Sequence, residues 1–185
     1  MSVWLQRLTK SLHKTRGQPE SRFFQLATVG GDGRPRCRTV VFRGLADDNT
    51  LTIISDTRSQ KTEHFIAEPA AEVCWYFTKT REQFRFEVTA HVLTASENQL
   101  LINEQWQKLS DAGKKQFLWG VPRDERDPSV PLRPNSDYVF APAHFCVIHL
   151  KVSHVDYLNL RGNPQHRELH SLTEQGQWHC QAVIP

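Results

Sequence analysis

The stretch that decides the fold runs from Arg36 to Lys61 and reads RCRTVVFRGLADDNTLTIISDTRSQK. It holds two runs rich in valine, isoleucine and threonine, separated by the turn-forming residues 46–49. Such runs with a polar turn between them are typical of neighbouring antiparallel strands. The second run is followed by DTRSQK, where Ser59 occupies the position of a helix N-cap. We therefore predict two strands and the beginning of a helix within this stretch.

Similar β-rich runs surround this stretch, and short helical patterns lie between them. The glycine-rich turn at 30–35 predicts a hairpin with the strand before it. Ser96 and Gln99 form a capping-box pattern before another helix, and Ser110 is a candidate cap for a short helix after it. The expected strands outside the stretch lie at 23–29, 73–77, 83–93, 145–160 with one bend, and in a C-terminal hairpin over 167–184. The expected helices span 1–17 and 59–67 and follow residues 96 and 110.

These elements predict a mainly β protein of the α+β class. About seven strands with short helices between them favour an antiparallel barrel over a parallel sheet, because a barrel leaves no unpaired strand edge. A length of 185 residues suits a single domain that spans 1–185. Residues 120–137 hold four prolines among charged side chains, so we expect a long loop there.

The composition excludes several classes of protein. Apolar residues make up 38% of the chain, with 10 Phe and 5 Trp, which is enough to build a core and excludes wholesale disorder. No apolar run is long enough to span a membrane, and the N-terminus lacks the apolar segment of a secretory signal. The four cysteines form no CxxC pair, so we expect free thiols in a cytoplasmic protein. A net charge of +3 is too small to indicate a nucleic-acid partner.

Basic side chains surround the predicted helix start. Arg58 and Lys61 flank Ser59, and Arg38 lies on the neighbouring strand. A helix N-terminus presents unpaired backbone N–H groups and a partial positive charge, which suits a phosphate group. Arginine adds bidentate hydrogen bonds to phosphate oxygens. A capped helix with solvated basic side chains has the same local pattern, so the spacing alone leaves both interpretations open.

Other motifs in the sequence give weaker indications of a binding or catalytic site. His144, Cys146 and His149 match no standard zinc spacing, and on a strand the third residue faces away from the first two, so we expect no metal site. The glycines at 30–33 join two strands and lack the pattern of a phosphate loop. No side chain stands out as a catalytic acid or base.

The ordered set of motifs resembles the pyridoxamine 5′-phosphate oxidase family, whose members are FMN-binding split β-barrels. In that family a strand carries Arg, four mostly apolar residues and Lys, which the segment from Arg38 to Arg43 resembles with Arg at both ends. The family's helix start, Ser-Arg-Lys, is matched by residues 59–61, and a later glutamine by Gln83. A C-terminal arginine of the family is matched by Arg167. The resemblance covers nearly the whole chain.

The resemblance implies FMN as a non-covalent cofactor. Arg38 and Lys61 would hold its phosphate, Ser55 and Ser59 would assist them, and Gln83 would contact the flavin ring or its neighbourhood. The full set of cofactor-binding residues expected from the resemblance is Arg38, Thr39, Val40, Arg43, Ser55, Arg58, Ser59, Gln60, Lys61, Gln83 and Arg167.

Strand geometry raises a question about this set. Arg38 and Arg43 are five residues apart, so a regular strand points them to opposite faces. We expect either a bulge between them or binding by the backbone of residues 40–42.

The resemblance also implies a homodimer with two FMN molecules at the subunit interface, in which Arg167 reaches the flavin of the opposite subunit. An open barrel would leave the strand face of Val73, Trp75 and Phe77 partly uncovered in one chain. A large exposed apolar patch usually marks a contact surface, so we expect this face to contribute to the dimer.

The activity implied by the resemblance is that of an oxidoreductase with an unidentified small-molecule substrate, in which the flavin supplies the redox chemistry. Family members that oxidise pyridoxine 5′-phosphate carry Arg-x-His-x-Arg near the C-terminus, whereas this chain has Asn163 and Gln165 before its arginine. We therefore expect no efficient pyridoxine phosphate oxidase, unless Arg123, Arg126 or Arg133 of the long loop restores the anion site. A flavin store or sensor without turnover and a haem-binding split barrel are the alternatives.

Overall fold

Nine β-strands form one antiparallel sheet in the part of the chain that this computed structural model describes, residues 2–47, 49–134 and 137–185. The strands are β1 (Phe23–Val29), β2 (Pro35–Val41), β3 (Gly44–Asp47), β4 (Thr50–Asp56), β5 (Ala70–Phe77), β6 (Glu82–Leu93), β7 (Phe145–Asn159), β8 (His166–Leu172) and β9 (Trp178–Val183). The helices are α1 (Val3–Lys14), α2 (Gln60–Ala67), α3 (Ala95–Gln107) and α4 (Asp111–Gln116), with a 3₁₀ turn at Pro19–Arg22.

The predicted mainly β, α+β class is confirmed, but the expected count of about seven strands is too low. Residues 46 and 47, which the sequence placed in a turn, belong to β3 and pair with β4. A short strand of four residues that contains glycine and aspartate has weak β-propensity, so only pairing with its neighbour reveals it. Asp48 of the expected turn lies outside the described residues.

The sheet is built around the longest strand, β7. The strand order is β2-β1-β5-β6-β7-β4-β3, and β8 joins β7 to β9. One edge of β7 pairs first with β4 and then with β8, while β6 runs along its other edge. The register with β6 shifts between Glu87 and Val88, which leaves Ser153 as an extra residue and bends the strand. The bend expected within 145–160 is thereby confirmed, and the curved sheet forms a split β-barrel.

The barrel interior is filled by aromatic side chains. Val73, Trp75 and Phe77 are at most 1% exposed, so the expectation that their face is partly uncovered is wrong. The ring of Trp75 lies 5.2 Å from that of Phe24 and 4.9 Å from that of Phe42, measured between centroids. Residues of β1, the segment after β2 and α1 cover this face within the same chain. A dimer contact must therefore use other residues.

A second, smaller apolar cluster lies beneath α3. The expected stripe of Ile102, Trp106 and Leu109 packs there against the beginning of β7. The helix is capped by Thr94, whose backbone N–H donates to Glu97 Oε2 at 2.8 Å. The Ser96–Gln99 capping box is therefore wrong by two residues, because β6 ends at residue 93 and the helix follows at once. The expected cap at residue 110 is confirmed.

A helix lies at the N-terminal end of the chain and a hairpin at its C-terminal end. The N-terminal helix expected over 1–17 is α1, which ends earlier, at Lys14, and residue 1 lies outside the described part. The expected C-terminal hairpin is formed by β8 and β9. Residues 120–134 and 137 contain neither helix nor strand, while 135 and 136 lie outside the description. None of the described helices is both long and apolar enough to cross a bilayer.

Candidate cofactor site

Arg38 points toward the core side of the sheet. Its β1 partner in the strand register is Leu26, which is fully buried, and paired residues on neighbouring strands face the same way. The Nη1 atom of Arg38 donates to Thr28 Oγ1 at 2.7 Å and to the carbonyl oxygen of Leu26 at 3.0 Å. These two acceptors hold the guanidinium in place and leave its other N–H groups available.

Lys61 lies in the first turn of α2, within a group of hydroxyls. Its Nζ atom donates to Ser55 Oγ at 2.8 Å and to Ser59 Oγ at 3.1 Å, and the two serine oxygens are 3.0 Å apart. Ser59 is the N-cap residue, as predicted, but its hydroxyl makes no cap bond to the helix backbone. It contacts Thr62 Oγ1 at 3.0 Å instead. The first-turn N–H groups are therefore not taken up by the capping side chain.

Arg38 and Lys61 have no carboxylate in direct contact within the described residues, although Asp56 lies close enough to favour the charged form of Lys61. Within the described residues neither side chain forms an ion pair. Burial lowers the pKa of Lys61, and the nearby guanidinium of Arg38 lowers it further. Burial also lowers the pKa of Arg38. Two neighbouring, partly buried cations with hydroxyl groups beside them fit an anion with several acceptor oxygens, such as a phosphate.

Two further side chains complete the surroundings of Arg38 and Lys61; the sequence carries no signal for the first, and sequence analysis considered the second only as a metal ligand. His64 of α2 is buried, and its Nδ1 lies 2.8 Å from Thr28 Oγ1, the same hydroxyl that Arg38 contacts. Burial lowers the pKa of His64, and Arg38 lowers it further, so the ring is neutral at pH 7. Burial raises the pKa of the Cys146 thiol to about 12, so this cysteine stays protonated. These residues are far apart in the sequence, and no local motif joins them.

Several residues of the expected set lie elsewhere. Strand β2 ends before Arg43, so the alternation that would place Arg38 and Arg43 on opposite faces does not extend to it; its backbone N–H donates to the Thr52 carbonyl at 2.9 Å. Arg58 pairs with Asp56 at 2.7 Å instead of standing free beside the helix start. Thr39 faces outward on β2, Val40 packs against the core, and Gln60 is the first residue of α2.

Gln83 and Arg167 lie on the outer face of the sheet. Cross-strand pairing places Tyr76, Gln83, Leu158 and Arg167 in one row across β5, β6, β7 and β8. The predicted shared face of Gln83 and Arg85 is confirmed by the alternating burial of β6. The guanidinium of Arg167 donates to both carboxylate oxygens of Asp156, at 2.9 and 2.6 Å. This row and the Arg38–Lys61 pair therefore occupy different faces of one chain.

A cavity of about 890 Å³ opens beside Lys61. Ser55, Ser59 and Lys61 form one wall, and the loop between residues 116 and 133 forms the opposite wall. Arg58 ties the two walls together, since its Nη2 donates to the carbonyl of Gly120 at 3.0 Å. The charged residues on the loop side are Asp124, Glu125, Arg126, Asp127 and Arg133. The cavity is thus large enough for a cofactor and a small substrate, and its loop wall carries charge of both signs.

Comparison with known proteins identifies the family. The family model for the pyridoxamine 5′-phosphate oxidase FMN-binding domain matches residues 1–94. The chain is 33% identical over 173 residues to pyridoxine/pyridoxamine 5′-phosphate oxidase 2 of Arabidopsis thaliana, covering 88% of this chain and 86% of that protein.

Solved structures agree with this match. A pyridoxamine 5′-phosphate oxidase-related, FMN-binding protein from Nostoc punctiforme superposes with a TM-score of 0.92 at 37% identity, over 100% of this chain and 99% of the other. PhzG from Burkholderia lata, solved with tetrahydrophenazine-1-carboxylic acid, shares the fold with a TM-score of 0.78 at 18% identity, over 98% and 91% of the two chains.

The matched domain is an FMN-binding one, which makes this protein a flavoprotein and disfavours the haem alternative. The unbalanced cations of Arg38 and Lys61, with the hydroxyls around them, fit the phosphate of that cofactor. Sequence similarity over most of the chain and close agreement of the fold lead to the same conclusion. The chain belongs to the pyridoxamine 5′-phosphate oxidase FMN-binding family.

Proposed function

We propose that this protein is an FMN-dependent oxidoreductase that acts on a small molecule other than pyridoxine 5′-phosphate. The observation that carries the proposal is the half-buried pair of Arg38 and Lys61, which has no carboxylate partner within the described residues. Such a pair costs free energy in the empty protein, and a bound phosphate removes that cost. FMN, when bound, supplies hydride or electron transfer between the substrate and an acceptor.

Arg38 and Lys61 would bind the FMN phosphate together with the residues that orient them. Arg38, oriented by Thr28, and Lys61, oriented by Ser55 and Ser59, donate charge-assisted hydrogen bonds to its oxygens. The first-turn N–H groups of α2 add their partial positive charge. None of these side chains is needed as an acid or base, because their task is to bind and orient the cofactor.

We further propose that the active form is a homodimer. Arg38 and Lys61 face the core side of the sheet, whereas Gln83 and Arg167 lie on its outer face. A single flavin meets both groups only if a second chain contributes one of them, which is the role that the family resemblance gives to Arg167. The outer face also exposes Tyr76, at 41% of its surface, in the same row. Sedimentation of the flavin-loaded protein should give twice the chain mass of 21.4 kDa, and a monomer with flavin bound would contradict this proposal.

The substrate proposal rests on which cations are available for a second anion. Asn163 and Gln165, at the positions where pyridoxine phosphate oxidases carry Arg and His, are exposed and neutral. In the loop wall of the cavity, Arg126 and Arg133 are accompanied by three carboxylates. A substrate phosphate therefore lacks a binding site rich in cationic side chains. If the missing contacts would contribute several kcal/mol, turnover of a phosphorylated substrate should be slower by about 2 to 4 orders of magnitude.

The competing candidate is oxidation of pyridoxine 5′-phosphate itself, which the name of the Arabidopsis relative favours. The FMN-loaded protein should be incubated with this compound in air while formation of the aldehyde is followed. Turnover above about 0.1 per second, against about 1 per second at the low end of ordinary enzymes, would establish that candidate and overturn our substrate proposal.

Turnover of any kind is tested separately. Rapid mixing of the oxidised flavoprotein with candidate amines, and then with nicotinamide donors, should bleach the flavin absorbance with at least one of them. If no donor reduces a flavin that is shown by mass spectrometry to be FMN, the protein is a flavin store or sensor.

A further inference from the structure

Three potential metal ligands come together in the C-terminal hairpin, outside the cofactor site. Glu168 and His170 lie on β8, and Cys180 lies on β9. His170 and Cys180 are direct cross-strand partners, and Glu168 is two residues before His170 on the same face of the strand. One ligand atom from each of the three side chains lies within 4.8 Å of the other two.

The distances between the ligand atoms approach those of a tetrahedral metal site. His170 Nε2 is 3.2 Å from Glu168 Oε2 and 4.0 Å from Cys180 Sγ. Zinc bond lengths of about 2.0–2.3 Å place the ligand atoms of a tetrahedral site roughly 3.3–3.6 Å apart. Cys180 is an exposed, free cysteine, so its sulfur is the ligand atom least fixed by packing.

A second observation points to a missing ligand at this place. The Glu168 side chain is only 10% exposed, and its Oε1 atom accepts from Arg7 Nη2 at 2.7 Å and lies 2.7 Å from His166 Nε2. Its Oε2 atom is buried and lies 3.2 Å from His170 Nε2, but without the geometry of a hydrogen bond, and no other donor reaches it in the described part of the chain. A buried carboxylate oxygen without a well-aligned donor is unfavourable, and a cation between Oε2 and Nε2 would satisfy it.

We propose that Glu168, His170 and Cys180 bind one Zn²⁺ ion, with the fourth position open to water. Binding displaces the thiol proton of Cys180, so that one carboxylate and one thiolate balance the charge of the ion. This balance matters because Arg7 places a positive charge on the other oxygen of Glu168. Cysteine, histidine and carboxylate together suit zinc better than calcium or magnesium, which prefer oxygen ligands alone.

The ion would fasten the last strand of the sheet. Strand β9 pairs only with β8 among the described strands, and Cys180 is the one proposed ligand that it carries. One residue separates Glu168 from His170, and nine separate His170 from Cys180. This spacing matches no standard zinc motif, so the sequence carries no local signal of this site.

The test uses the FMN-loaded protein, treated with a chelator and then titrated with Zn²⁺ by calorimetry. Wild-type protein should bind one ion per chain and retain it through gel filtration. Removing even an outer-shell partner costs about 10–100-fold in metal affinity, so Cys180→Ser, which removes a ligand, should weaken binding at least about 100-fold. The matched control is Cys37→Ser, which replaces another exposed cysteine and should bind as wild type.

Two further measurements separate ligand loss from misfolding. Zn²⁺ should raise the melting temperature of wild type but not of Cys180→Ser, while the two metal-free proteins should melt alike. Co²⁺ in place of Zn²⁺ should give a thiolate charge-transfer absorbance in wild type and Cys37→Ser only. Absence of zinc from the gel-filtered wild-type protein, or equal affinity in wild type and Cys180→Ser, would overturn the proposal. An equal loss of Zn²⁺ affinity in Cys180→Ser and Cys37→Ser would overturn it as well.

Discussion

Two groups of basic side chains in this protein differ in how their charge is balanced. On the outer face of the sheet, Arg85 and Arg167 both contact Asp156, and Arg85 also contacts Glu72 at 2.6 Å. At the other site, the acceptors of Arg38 and Lys61 within the described residues are hydroxyl and carbonyl oxygens without charge.

The pKa shifts of the two groups run in opposite directions. The hydrogen bond to Glu72 raises the pKa of Arg85, and the bond to Asp156 raises that of Arg167. Burial lowers the pKa of Lys61 and of Arg38, and their proximity adds to the effect for Lys61. The outer group, Arg85 and Arg167, is thus neutralised by carboxylates of its own chain. The inner group, Arg38 and Lys61, is instead available to bind an anion from outside the chain.

The largest effect is expected from reversing a charge of the inner group. Arg38→Glu or Lys61→Glu should weaken FMN binding by at least about 100-fold, because each removes a charge-assisted hydrogen bond worth about 1.5–3 kcal/mol and adds repulsion. Fluorescence titration of the flavin-free protein measures this, with circular dichroism to confirm folding. Arg34→Glu, whose parent side chain is 79% exposed, is the control with the same change of charge. Full flavin occupancy in both inner variants would place the phosphate elsewhere.

A smaller effect is expected from Arg167, which the proposed dimer brings to the partner's flavin. Arg167→Gln should weaken FMN binding by about tenfold, as for the loss of one polar contact worth about 1.4 kcal/mol. Arg85→Gln is the matched control, since it lies on the same face and contacts the same Asp156. Equal effects of the two substitutions would mean that Arg167 serves only the ion-pair group.

The pH dependence of FMN binding should reveal Lys61. Its pKa in the flavin-free protein is lowered from 10.5, and a bound phosphate favours the charged form, so affinity is full below the lowered pKa and falls as the pH rises toward 10.5. The loss should not exceed about tenfold per pH unit. Lys61→Arg keeps its charge throughout this range, so its comparison with wild type separates Lys61 from the flavin's own titration. Parallel curves for the two proteins would show that Lys61 does not contact the phosphate.

The smallest effect on the flavin is expected from the outer carboxylate. Asp156→Asn leaves Arg85 and Arg167 without their shared partner and should lower the free energy of unfolding by about 1–2 kcal/mol, since both guanidinium groups are partly solvated. Urea denaturation of the flavin-free protein measures this change. FMN affinity should change by less than about threefold. A loss as large as that of Arg167→Gln would instead show that Asp156 positions Arg167 for the flavin.

Much of the architecture follows from local sequence patterns. The alternation of buried and exposed residues in β6 and the bend in β7 are visible in the order of apolar and polar side chains. The helix start at Ser59 is equally local, because an N-cap residue and the turn after it are adjacent in the chain. The site residues Arg38, Ser59 and Lys61 could be predicted for the same reason, because their order along the chain matched that of a known family.

By itself, then, the sequence determined most of the strands, the start of α2 and the family, because each of these depends on neighbours within a few residues or on the order of motifs. It did not determine which arginines are balanced by carboxylates, or that Trp75 is covered by its own chain. Nor did it reveal that Thr28 and His64 meet beside Arg38, or that Cys180 meets Glu168. These outcomes were decided by strand order and register, which join residues far apart in the sequence. The burial of Trp75 and the charge balance of Arg85 and Arg167 depend on those long-range contacts.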